Sequence, residues 1–190
     1  MKHGLVFYTC RTAFDENAIR LMFKTEYFTY EKKLLLMRGV FAAVLLIAGM
    51  LTSLPIGARI LCMLVGVWLL VAMDFPSKVR AEGVIQRRGG AASQVNLTFA
   101  DTEIRVEEQQ KIPYVQVDRL VEDDGYFIIF QNRQTAVMAS KAGLEPCDPD
   151  AFRAFIEGKT GKTFGRNVNL LSMNLFDLLG SAKGKKRTKR

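Results

Sequence analysis

Histidine is almost missing from this chain, and so is any pairable set of cysteines. Over one long stretch near the N-terminus, charge is nearly missing as well. The single histidine, His3, leaves no material for a catalytic triad or a histidine-rich metal site. The three cysteines, Cys10, Cys62 and Cys147, are odd in number and match no zinc or redox spacing, so they read as unpaired thiols in a reducing compartment. The first 30 residues lack the short apolar core and small-residue cleavage site of a signal peptide. No glycine-rich dinucleotide fingerprint and no nucleophile elbow occur. Residues 158–163 (GKTGKT) imitate a phosphate loop, but Arg153 and Ile156 stand where its first glycine belongs. A helix precedes them instead of a strand, so the glycines read as a helix C-terminus. Glu107-Glu108 and Asp123-Asp124 lie at turns or strand ends without ligand partners, and read as solvated charge. The expectation is a protein that is not an enzyme, with no catalytic, cofactor-binding or metal-binding residues and no cofactor.

What the chain does have is apolar sequence in one block. It carries 190 residues and a net charge of +8, yet between Leu34 and Met73 the only charged side chains are Arg38 and Arg59. Residues 34–54 (LLLMRGVFAAVLLIAGMLTSL) suffice for a membrane crossing, which takes about 20 helical residues. Residues 60–73 (ILCMLVGVWLLVAM) are short for one and need their flanks. Pro55 and Gly57 break the helix and turn the chain, which predicts an antiparallel transmembrane hairpin over residues 34–75. Gly39, Ala42, Ala43, Gly49 and Gly66 are small enough for close helix contact, either within the hairpin or with foreign helices. Trp68, well inside the second segment, reads as a lipid-facing filler. Arg38 can snorkel to the headgroups. Basic residues crowd the terminal side (Lys24, Lys32, Lys33, Arg38, Lys78, Arg80, Arg87, Arg88), and only Arg59 lies on the turn side. The positive-inside rule then places both termini in the cytoplasm. The sequon Asn96-Leu97-Thr98 falls in a strand on that side and is discounted.

Around the hairpin the periodicity changes. Residues 1–33 hold a short strand (LVFYT, residues 5–9) and an amphipathic helix capped by Asp15, with Ile19, Met22, Phe23 and Tyr30 at helical spacing. Over residues 81–160 the period becomes two. Val95, Leu97 and Phe99 alternate with polar residues, as do Ile104 and Val106. Residues 114–121, 126–131 (YFIIFQ, after Asp124-Gly125) and 135–139 follow, making five or six antiparallel strands. Asp148-Pro149 then opens a helix with Phe152, Phe155 and Ile156 on one face. The expected fold class is an α+β membrane protein: a two-helix transmembrane hairpin plus a small antiparallel β-rich domain, pleckstrin-homology-like, closed by a C-terminal helix.

This order of elements resembles the bacterial YcxB-like membrane protein family. The motifs that carry the likeness are Asp101-Thr102-Glu103-Ile104, then Ile112-Pro113-Tyr114-Val115-Gln116-Val117, Leu120-Val121-Glu122-Asp123, Tyr126-Phe127-Ile128-Ile129-Phe130 and Asp150-Ala151-Phe152-Arg153-Ala154-Phe155. The resemblance spans roughly residues 5–159. It implies a membrane protein of unassigned biochemical role and carries over no catalytic residue.

Beyond it lies a tail, residues 161–190. Val168, Leu171, Leu175, Leu178 and Leu179 share a helical face, and Lys183, Lys185, Lys186, Arg187, Lys189 and Arg190 end the chain. With Arg38 and Arg59 these six basic residues are the candidate membrane-surface contacts, toward anionic headgroups; a solubilising terminus is the plain alternative. Without interleaved aromatics, nucleic-acid binding is not expected. The expected function is a membrane-anchored binding or scaffolding module at the cytoplasmic face of a bacterial inner membrane. Its partners would be the bilayer and an unidentified membrane or cytoplasmic protein. The alternative is an accessory subunit of a transporter or membrane enzyme, associating through the hairpin. Oligomeric state is left open.

Overall fold

The computed structural model describes residues 5–51, 53–89, 92–107 and 110–166, and the statements below concern these. The tail residues Lys183 to Arg190, named above as membrane contacts, lie outside the described residues.

Helix α1 (Glu16–Tyr30) starts where the sequence places it: the Asp15 carboxylate accepts the Ala18 N–H at 2.7 Å. A single residue, Glu31, separates it from α2 (Lys32–Met50). After the turn, α3 (Ile56–Val71) passes through a 3-10 turn, Ala72–Asp74, into α4 (Phe75–Arg88). Two nearly unbroken helical arms therefore run antiparallel. The second is longer than the sequence suggested. The apolar run expected over 60–73 starts at Ile56, and residues 75–88, expected to lead into strands, are helical. That helix hid because its buried residues, Ser77, Ala81 and Ile85, are mostly small, and because Pro76 looks like a breaker although it occupies the permitted first turn.

The strands form two sheets. The first has the order β4-β3-β2-β1-β8, built from β1 (Val6–Phe14), β2 (Ser93–Ala100), β3 (Glu103–Val106), β4 (Gln110–Pro113) and β8 (Leu144–Glu145). The second has the order β7-β6-β5-β9, built from β5 (Arg119–Glu122), β6 (Tyr126–Phe130), β7 (Ala136–Ser140) and β9 (Gly165–Arg166). All pairs are antiparallel except β5 with β9. Tyr114–Gln116, expected within a strand, forms a 3-10 turn instead, and the Tyr114 hydroxyl donates to the Ala100 carbonyl at 2.9 Å. Strand β1, nine residues and longer than expected, pairs with β2 along its length and with β8 on its other edge, so the N-terminal segment is a central strand.

Helix α5 (Pro149–Thr160) closes the core. Phe152 is fully buried and meets Tyr8, Phe99 and Phe127 with ring centroids 4.8–5.2 Å apart. The continuous apolar run of β6 follows from burial on both faces. Phe127 and Ile129 face the core under α5, while Ile128 and Phe130 join Met138 and Val121 against Ala18 of α1. On its other side α1 packs on α4 through Ile19, Ala81 and Ile85. An Arg20–Glu82 ion pair at 2.8 Å also joins the two helices. Helix α1 is thus clamped to the second sheet and α4 to α1, and α2 and α3 project from that base.

Candidate functional site

In the projecting hairpin, side-chain burial on α2 recurs at Leu35, Ala42 and Gly49, a seven-residue spacing that describes one seam facing α3. Gly66 is its buried counterpart. A Cβ at Gly49 would lie 2.6 Å from Met63 Cγ and 3.0 Å from the Arg59 carbonyl oxygen. One at Gly66 would lie 3.0 Å from the Leu46 side chain and 3.2 Å from the Ala42 carbonyl oxygen. These two glycines therefore hold α2 against α3. Of the two uses the sequence left open for them, this is contact within the hairpin itself. Gly39 and Ala43 lie elsewhere: a Cβ at Gly39 meets nothing within 4 Å.

The two arginines of the hairpin sit at its opposite ends. Arg38 donates to the Tyr27 hydroxyl at 3.1 Å, near the base. Arg59 Nε donates to the Gly49 carbonyl at 3.2 Å, near the turn, and so serves a backbone oxygen left over at the α2 C-terminus. Both guanidinium groups are engaged within the chain.

The outward faces of the hairpin are apolar and bare. Leu36, Met37, Ile47, Met50, Ile56, Leu64, Trp68 and Val71 are each more than 60% exposed. The rest of the chain covers only 11% and 6% of the two apolar windows, so α2 and α3 are not interior helices of this fold.

At the foot of the hairpin, α2 and the β5–β9 edge enclose an open cleft of about 1160 Å³. Lys32, Leu36, Gly39, Val40 and Ala43 form one wall, a single stripe of α2. The opposite wall holds Asp118, Arg119 and Lys162. Asp118 organises it: its carboxylate accepts the Tyr30 hydroxyl at 2.7 Å, with Arg119 and Lys162 3.7 and 3.9 Å from the carboxylate oxygens, and its backbone carbonyl accepts from Lys162 Nζ at 2.6 Å. The Arg119 guanidinium also lies 5.4 Å from the Tyr30 ring centroid. Burial, then the hydrogen bond to Asp118, pushes the Tyr30 hydroxyl pKa up. Lys162 reaches this place because α5 ends on Gly161, whose φ of 66° turns the chain back; the phosphate-loop imitation is a helix C-cap. Sequence reasoning missed this grouping. Lys32 counted only toward orientation, and nothing local announces that β9 returns beside β5.

A second charged cluster lies away from the hairpin. Glu122 accepts from Lys141 at 2.7 Å and from Arg153. Burial alone would push its carboxyl up; the two cationic partners outweigh it and hold it below its ordinary value. The Asp123–Asp124 turn beside it is closed by the Asp123 N–H on the Tyr126 carbonyl at 2.9 Å. Among the described residues, no group of three or more His, Cys, Asp or Glu is placed to hold a metal ion.

These parts define an α+β chain in which two long apolar helices rise from a domain of antiparallel sheets. Residues 99–156, from the end of β2 into α5, match the family model described as YcxB-like protein, which bears out the resemblance carried by the strand motifs. No curated protein and no solved structure matches the chain.

Proposed function

We propose that this chain is a multi-pass protein of a bacterial inner membrane that holds a pleckstrin-homology-like domain at the cytoplasmic face as a binding or scaffolding module. The observation that carries the reading is the bare apolar surface of α2 and α3 above a fully cored domain. Each large side chain left in water forgoes about 1.5–3 kcal/mol. A dozen such side chains would forgo roughly 20 kcal/mol or more, beyond the about 5–15 kcal/mol that stabilises a typical domain. In lipid that cost disappears. Helix α2 is about 28 Å long at 1.5 Å per residue, close to the hydrocarbon thickness.

Orientation rests on the basic residues of α4 and of the α1–α2 junction, all on the domain side of the hairpin. The pleckstrin-homology likeness rests on two antiparallel sheets closed by one C-terminal helix, and is an analogy of architecture. Because α1, which packs on the second sheet, leads into α2, and α4, which packs on α1, continues from α3, the domain is held at a set attitude to the bilayer. Fixing it there raises its effective concentration for a membrane or cytoplasmic partner. The test is fractionation of lysed cells. The protein should pellet with membranes, resist alkaline carbonate and enter solution only with detergent; recovery in the detergent-free supernatant overturns the proposal. Substitutions in the Asp123-Asp124-Gly125 turn should abolish a copurifying partner without releasing the chain from membranes.

A further inference from the structure

Resting on the membrane reading above, we propose that the cleft between α2 and the β5–β9 edge binds one anionic phospholipid. Its phosphate would sit among Lys32, Arg119 and Lys162, with an acyl chain lying along the α2 groove. Three observations converge on this occupant. First, the cleft is amphiphilic along its length. Its polar end carries three basic side chains against one acidic one, Asp118, whose oxygens are already engaged by Tyr30 and the neighbouring cations. That leaves a positive surplus suited to a phosphate diester. Second, the other end is a stripe of α2 that lacks bulk. Gly39 and Ala43 make a furrow between Leu36 and Val40, and from Lys32 to Ala43 it runs about 16 Å at 1.5 Å per residue. Third, the furrow is continuous with the exposed apolar face of α2, where Leu36 is 70% and Val40 56% exposed, so a lipid reaches it sideways from the bilayer without leaving its leaflet.

The test uses the full chain in nanodiscs of phosphatidylcholine doped with phosphatidylglycerol. Lipid retained after mild detergent extraction is counted by native mass spectrometry. The wild type should retain phosphatidylglycerol in preference to phosphatidylcholine. Lys32→Gln, Arg119→Gln and Lys162→Gln should each weaken retention about fivefold, and the triple variant about a hundredfold. Ala43→Phe, which fills the furrow and leaves the charges in place, should also lose the lipid, whereas Lys78→Gln, outside the cleft, should not. Equal retention of the two lipids, or undiminished retention by the triple variant and Ala43→Phe, overturns the assignment. So does displacement by millimolar inorganic phosphate, which would mark a soluble-anion site. A chain ending at Arg166 that retains more lipid than the full chain would mean the C-terminal segment is the natural occupant, and would overturn it too. A chain that fails to enter nanodiscs refutes the hairpin reading; one that enters and shows no lipid preference refutes only the cleft.

Discussion

Alanine at two glycines of the same helix should act in opposite directions. In a helix interior, Gly→Ala stabilises by about 0.5–1 kcal/mol through backbone entropy. At Gly39 the new methyl meets nothing within 4 Å, so that gain should appear in full. At Gly49 the same methyl arrives 2.6 Å from Met63 Cγ, 3.0 Å from the Arg59 carbonyl oxygen and 3.3 Å from the Met63 nitrogen. Two of those three atoms are backbone and cannot rotate away, so the arms must part near the turn, stretching the Arg59–Gly49 hydrogen bond. Overpacking of this kind costs about 1–3 kcal/mol. The propensity gain is common to both variants, so their difference isolates the steric cost. Gly66→Ala, opposed by the Leu46 side chain at 3.0 Å and a carbonyl oxygen at 3.2 Å, should fall between them. The assay is reversible unfolding in mixed micelles of increasing SDS content, followed by the fluorescence of Trp68, the one tryptophan, on α3. The expected order of stability is Gly39→Ala, then Gly66→Ala, then Gly49→Ala. A Gly49→Ala protein as stable as Gly39→Ala would refute the seam.

Phe152→Ala should cost about 3–5 kcal/mol, because it empties the space where Tyr8, Phe99 and Phe127 converge; a cooperative thermal melt by circular dichroism that is left unmoved would contradict the core described here. Glu122→Gln should matter most near neutral pH. The folded carboxylate is held below its ordinary 4.5, so its stabilisation is present above that value and fades as pH falls through the lowered one. Melts from pH 7 to 3 should show the gap between wild type and variant closing, and a constant gap would tell against the pairing with Lys141 and Arg153. Cys147 is exposed on the domain while Cys10 is buried, which makes Cys147 a native reporter of sidedness. A membrane-impermeant maleimide should label it in lysed cells and spare it in intact ones; labelling in intact cells would reverse the proposed orientation.

Much of the architecture was legible locally. Asp15 and Asp148 cap α1 and α5 through their own side chains, a signal confined to four residues. Asp124-Gly125 marks the β5–β6 turn, and period-two alternation marks β2 and β3. Helix α4 was not legible, since its buried residues are Ser77, Ala81 and Ile85, too small and too few to give an apolar period. Tyr114 reads as part of a strand because it is apolar among apolar neighbours. Only the Ala100 carbonyl that receives its hydroxyl explains the 3-10 turn.

The hairpin was determined by sequence alone, because its drive is the sheer density of apolar side chains on either side of Pro55, and density survives without knowledge of contacts. The cleft at its foot was decided only in three dimensions. Lys32, Asp118, Arg119 and Lys162 come from the start of α2, the approach to β5 and the turn after α5, and they meet because β9 returns parallel to β5. No pattern within a window of sequence encodes that return. It follows from where the closing helix must lie to bury Phe152 and Ile156, and so from the packing of the whole core.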